Sequence, residues 1–196
     1  MAEEAAGRAD ALTASQVHKR ALDGFLASVE RRAFRLARFA TRDSDEALDI
    51  VQDAMTKLVQ AYGKRPPEEW GPLFQRILQS RIVDWHRRST LRNKLRVFWR
   101  HGLDRDDEED PMAALPDSHT PQPDQALANS QAMTQLEAAL GRLPLRQQQA
   151  FLLRAWEGLD VARTAQAMAC SEGSVKTHYF RAIHSLREAI GEAWSG

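Results

Sequence analysis

The stretch that most restricts what this chain can fold into is DRDDEEDPMAALPDSHTPQPDQ, residues 104–125, near the middle of 196 residues. It holds eight acidic residues, repeated prolines and no periodic apolar pattern, so it cannot bury enough surface to offset the entropy of ordering. Residues 102–124 therefore read as a flexible acidic linker. On both sides apolar residues recur at helical spacing, without an alternating strand or an internal repeat. The expected fold class is all-α, with two small helical domains on a tether. Residues 1–15 read as a disordered N-terminus, 16–101 as the first domain and 125–196 as the second.

The formal net charge of zero conceals a division along the chain. Residues 18–103 hold 18 basic and 10 acidic residues, whereas residues 104–131 hold 1 and 8. A basic module beside an acidic middle is the asymmetry of a chain that binds a polyanion with one of its parts. No apolar run approaches the roughly 20 residues that cross a bilayer, so membrane insertion is not expected. The opening MAEEAAGRADALTASQ has acids where a secretory signal needs a basic and then an apolar stretch, and the expected compartment is the cytoplasm. A lone cysteine, Cys170, rules out an internal disulfide and argues against a cysteine zinc site. There is no glycine-rich phosphate loop, H-E-x-x-H pair or nucleophile elbow. Asp84 and His86 diverge by about 200° on a helix. No catalytic residue, metal or cofactor is expected.

In the first domain the spacing predicts helices near 16–40, 44–62 and 71–90, the last extending toward 100. Ser44 is the expected N-cap of the second, with Asp45 and Glu46 in its first turn. On that helix Leu48, Val51, Met55, Leu58 and Tyr62 form the expected buried stripe, and Asp49, Gln52, Asp53, Thr56 and Gln60 a polar one. YGKRPPEEWGP reads as a loop, since its glycines and prolines break helices. In the third helix Phe74, Ile77, Leu78, Ile82 and Trp85 face the core. Arg76, Arg87, Arg88, Arg92 and Lys94 supply attraction for phosphates, and Asp84 is placed to pair with Arg81 or Arg88.

In the second domain helices are predicted near 125–140, 145–157, 160–168 and 172–191, with Gly141 and Gly158 as stops and Asp160 as an N-cap. Only Ala169, Cys170 and Ser171 separate the last two, the connection length of a helix-turn-helix. Ser171 is the expected N-cap of the last helix. At about 100° per residue, Val175, Tyr179, Ala182, Ile183, Leu186 and Ile190 share one face of it. Lys176, Thr177, Phe180, Arg181, His184 and Arg187 share the other. Arginine, lysine and threonine suit base edges and phosphates, and Phe180 suits a thymine methyl.

LPLRQQQAFLLRAWEGLDVARTAQAMACSEGSVKTHYFRAIHSLREAI, residues 143–190, resembles region 4 of the extracytoplasmic-function sigma factors of bacterial RNA polymerase. Ala169 stands where that family commonly has glycine, and Arg163 where glutamate is usual. The resemblance implies that Ser171, Ser174, Lys176, Thr177, Phe180 and Arg181 address a double-stranded -35 element. ALDIVQDAMTKLVQAY, residues 47–62, resembles regions 2.1 to 2.2. It implies that Asp49, Gln52, Asp53 and Thr56 bind core RNA polymerase. The third helix resembles regions 2.3 and 2.4, implying contact with a partly single-stranded -10 element by Arg76, Ser80, Arg87 and Arg88. Ser80 stands where asparagine is common. The preceding loop, with Lys64, Arg65 and Trp70, corresponds to the family's loop for an unstacked base, and Trp70 also reads as a core residue anchoring that loop to the third helix. The implied function is promoter-directed transcription initiation, the polymerase doing the chemistry. Many members of the family are held by an anti-sigma factor, and no residue pattern in this chain singles one out. The alternative class is a stand-alone helix-turn-helix regulator. Such proteins usually carry a sensor, dimerisation or receiver domain, and no receiver pattern of alternating strands and helices occurs.

Overall fold

The computed structural model describes residues 2–101 and 125–194, with side chains described for 15–92 and 134–190. The expected linker 102–124 lies outside the described residues, as does the side chain of Lys94. Among the described residues the chain is helical, in the order α1 Ala2–Thr41, α2 Ser44–Tyr62, α3 Pro67–His101, α4 Gln125–Arg142, α5 Leu145–Phe151, a π-helical turn Leu152–Trp156, α6 Val161–Met168 and α7 Glu172–Trp194.

Three boundaries differ from expectation, each for a local reason. α1 begins at Ala2, so its helix runs through the segment expected to be disordered. AEEAAGRADALTA is rich in alanine, the strongest helix former, with acids in the first turn. α2 is capped by Asp43, not Ser44. The Asp43 carboxylate accepts from the backbone N–H groups of Asp45 and Glu46 at 2.8 and 3.0 Å, while the Ser44 hydroxyl accepts from Arg38 Nε at 2.9 Å. α3 begins at Pro67, not at 71. Proline suits a first helical position, where its missing N–H would have no partner anyway. Gly71 and Pro72 are carried inside the helix because Trp70 and Phe74, both 1% exposed, fix that turn in the core. Gly141 likewise lies inside α4, where a methyl group would collide with the Arg42 guanidinium.

The apolar stripes meet in one continuous cluster. It takes Leu22, Leu36 and Ala37 from α1, Ile50, Val51 and Leu58 from α2, and Trp70, Phe74, Leu78 and Ile82 from α3. It then crosses into the second unit through Ala139, Leu140, Leu152 and Leu186. A smaller cluster of Ala150, Leu153, Ala165, Ala167, Met168 and Val175 holds α5, α6 and α7 together. Leu48, expected in the core, is instead 44% exposed, because Ala47, Ile50 and Val51 turn the face of α2 toward α1 and α3.

Candidate nucleic-acid and protein interfaces

The turn between α6 and α7 is closed by backbone geometry. Cys170 N–H donates to Ala165 O at 3.1 Å and Ala169 N–H to Gln166 O at 3.3 Å, the paired bonds that end a helix on a left-handed residue. That residue is Ala169, at φ 50° and ψ 51°, a conformation glycine adopts without cost. Arg146 of α5 donates to Met168 O at 2.9 Å and so holds the last carbonyl of α6. Asp160 caps the start of α6 through Arg163 N at 2.7 Å, and Ser171 caps α7 through Ser174 N at 3.1 Å. Both caps are the expected ones. Behind α7, Arg154 lies over the Tyr179 ring at 5.7 Å and bonds Leu159 O, fixing the approach to α6.

On α7, Val175, Ala182 and Leu186 are buried, while Lys176, Thr177, Phe180 and Arg181 point outward. Phe180 is 73% exposed, an unusual position for an aromatic ring that has only solvent to face. The side chains of Lys176, Phe180 and Arg181 form no hydrogen bond or ion pair with a described residue, whereas the Thr177 hydroxyl donates to Gly173 O at 3.0 Å. The Ser171 hydroxyl is engaged in capping and lies 2.9 Å from that of the half-buried Ser174. His178 sits at the edge of the face. Partial burial, then the charges of Arg146 and Arg181, lower its pKa below 6.5.

On α2, Asp49, Gln52, Asp53, Thr56 and Gln60 are all exposed along one face. Leu48 and Val59, at 44% and 45% exposure, lie among them. Leu48 also joins Phe34 and Val51 in a groove of about 570 Å³ between α1 and α2, edged by Glu30, Arg31 and Arg35. Sequence reasoning missed this apolar component because the wheel placed Leu48 inward.

On α3, Arg76, Ser80, Arg87 and Arg88 are exposed. Arg88 bonds the main-chain carbonyl of Asp84 at 3.3 Å, not the carboxylate expected to pair with it. α3 is instead tied to α2 by Glu46, which accepts from Trp85 Nε1 at 2.7 Å and from Arg92 at 3.3 Å. In the loop before α3, Lys64 is exposed and Arg65 pairs with Glu69 at 3.6 Å. Trp70 is not open to a base. Its ring meets His18 edge-on at 5.2 Å and Phe25 at 5.8 Å, and His18 Nε2 lies 2.6 Å from Gly63 O, so this cluster anchors the loop from within. Among the described residues no cluster of three metal-ligating side chains occurs and no helix is long and apolar enough to cross a membrane.

These features define a helical protein of two packed units, the second ending in a helix-turn-helix whose last helix has an exposed face. The family model described as Sigma-70, region 4 matches residues 133–186. The chain is 30% identical over 156 residues to an RNA polymerase sigma-E factor of Streptomyces avermitilis, covering 80% of this chain and 77% of that one. It is 29% identical over 172 residues to the ECF RNA polymerase sigma factor SigM of Mycobacterium tuberculosis, covering 87% and 78%. Among solved structures, the sigma factor RpoE in complex with the anti-sigma factor NepR from Bartonella quintana superposes with a TM-score of 0.56 at 21% identity, over 86% of this chain and 96% of that one. The chain belongs to the extracytoplasmic-function branch of the RNA polymerase sigma factors.

Proposed function

We propose that this sigma factor divides its work among three faces: the exposed face of α2 binds core RNA polymerase, α3 and its preceding loop address the -10 element, and α7 addresses the -35 element. The observation that carries the reading is the outward face of α7, where Lys176, Thr177, Phe180 and Arg181 stand clear of the packed side behind a capped, tight turn. Carboxylates and amides on α2 are suited to arginines of a protein partner, and Leu48 adds an apolar contact among them. On α3, Arg76, Arg87 and Arg88 supply phosphate attraction and Ser80 a base-edge hydrogen bond, with Lys64 and Arg65 at the loop. Trp70 supports that loop and reads no base. The polymerase performs the chemistry, and the compartment of action is the cytoplasm. A regulator of the anti-sigma kind is a further partner of this reading, supported by the complex in which the solved neighbour was found.

The test adds purified chain to core polymerase and maps transcript starts. A discrete set of promoters is expected, and failure to bind core overturns the reading. Asp49→Lys with Asp53→Lys is expected to weaken core binding at least about ten-fold. Lys176→Ala with Arg181→Ala is expected to leave core binding intact and weaken promoter binding by about 10- to 100-fold. Equal loss of core binding by both pairs contradicts the division of labour.

A further inference from the structure

A short loop, residues 63–66, joins the end of α2 to the start of α3. Its own bonds set its local shape: Arg65 N–H donates to Tyr62 O at 2.9 Å, Glu69 N–H to Pro66 O at 3.0 Å, and the Arg65 and Glu69 side chains pair at 3.6 Å on the surface. None of these bonds fixes where the loop stands on the bundle. That is done from α1. A methyl group at Gly63 would lie 3.4 Å from Leu22 Cδ2, so the backbone there rests on α1. Trp70 packs beneath with Phe25, but its buried Nε1 has no hydrogen-bond partner, so the indole supports the loop by contact alone. His18 supplies the polar tie across 45 residues of chain, its Nε2 lying 2.6 Å from Gly63 O. A carbonyl oxygen only accepts, so the imidazole donates. Among the described residues no other side chain from outside the loop hydrogen-bonds residues 63–66.

The place of that bond gives it leverage. Gly63 O is one of the carbonyls left without an intrahelical partner at the end of α2. The peptide that carries it also carries the N–H of Lys64, and a peptide unit is planar, so holding the oxygen orients the chain as it enters Lys64 and Arg65. The imidazole is itself oriented, because the Trp70 ring meets it at 73° with centroids 5.2 Å apart, and Trp70 is 1% exposed. Lys64 and Arg65, both exposed, are thereby presented in one direction. Unstacking a base is costly, and a receiving site already in shape loses less freedom on binding it.

Resting on the assignment of this loop to the -10 element, we propose that His18 is a positioning residue for promoter opening: its bond to Gly63 O holds Lys64 and Arg65 ready for an unpaired base of that element. His18 acts through the loop, and on neither core binding nor -35 recognition.

The experiment assembles core polymerase with the full chain as wild type, His18→Leu or His18→Gln. His18→Leu keeps an apolar side chain against Trp70 but cannot donate, whereas the amide of His18→Gln donates from a similar reach. The probe is a labelled single-stranded oligonucleotide with the nontemplate -10 sequence of a promoter at which the wild-type holoenzyme starts transcription, intact or with one base removed at each position in turn. Fluorescence anisotropy reads affinity. His18→Leu is expected to weaken binding of the intact oligonucleotide by about three- to ten-fold, the worth of one hydrogen bond, and His18→Gln to stay within about two-fold of wild type. At the position where base removal harms wild type most, the difference between wild type and His18→Leu is expected to vanish. Core binding and affinity for a -35 duplex are expected to be unchanged in both variants. The proposal is overturned if His18→Leu binds the intact oligonucleotide as wild type does, if His18→Gln fails to restore binding, or if the deficit of His18→Leu persists in full wherever a base is removed. Circular dichroism checks folding, and His18→Ala takes the same measurements should His18→Leu not fold. A wild type indifferent to base removal at every position rejects the -10 assignment of the loop. A wild type with a sensitive position beside an indifferent His18→Leu rejects the role of His18 alone.

Discussion

Ala169 is held at φ 50° and ψ 51° by the bonds that close the turn. A left-handed alanine costs roughly 1–2 kcal/mol. Ala169→Gly relieves that strain but adds unfolded-state entropy of about 0.4–1 kcal/mol. The net expectation is stabilisation by about 0.5–1 kcal/mol, seen as a higher urea midpoint, with -35 affinity unchanged because the turn keeps its path. His178 gives a second residue-scale expectation. Burial first, then Arg146 and Arg181, lower its pKa below 6.5, so the folded state binds fewer protons than the unfolded one. Its contribution is present above the unfolded pKa and is lost as pH falls through the folded pKa. Urea midpoints measured downward from neutral pH are expected to fall less steeply in His178→Gln than in the wild type. An unchanged slope would show that the imidazole titrates alike in both states.

At the scale of helices, the end of one and the start of the next decide where functional faces point. Asp43 satisfies two N–H groups of α2, while Ser44 satisfies none of them. Asp43→Ala is expected to cost about 1 kcal/mol and Ser44→Ala only a few tenths in thermal or urea unfolding. The reverse order would show that the cap lies one residue later. The ambiguity was intrinsic to the sequence, since Asp and Ser are equally good caps and only the turn after Thr41 selects between them. Asp160 and Ser171 were legible because each has a single capping residue at the boundary. The outward face of α7 was legible for a similar reason, its apolar and polar stripes being cleanly opposed. Leu48 was misplaced for the opposite reason. It lies at the edge of a stripe that small Ala47 and Ala54 complete, whereas Trp70, open in the sequence between a base contact and the core, is settled as core by its 1% exposure. Gln79, Gln148 and Gln149 carried no local signal, because a glutamine reads as surface until the partner that buries it is known.

At the scale of the whole molecule, the apolar cluster does not stop where the linker divides the sequence. Leu140 of α4, fully buried, belongs to the same cluster as Leu36, Phe74 and Leu78 of the first unit. Its carbonyl also receives Gln148, so it serves both the core and the junction. Two tethered domains with separate cores would unfold in two steps, each blind to damage in the other. A shared core makes the free chain unfold as one cooperative body. Leu140→Ala removes a fully buried side chain and is expected to cost about 2–5 kcal/mol. It is expected to shift the entire urea transition, with far-ultraviolet circular dichroism and tryptophan fluorescence remaining coincident. The fluorescence reports on both units, since Trp70 and Trp85 lie in α3 and Trp156 in the π-helical turn. If only part of the signal moved and a wild-type-like step persisted for the first unit, the units would be thermodynamically separate and the junction too weak to couple them.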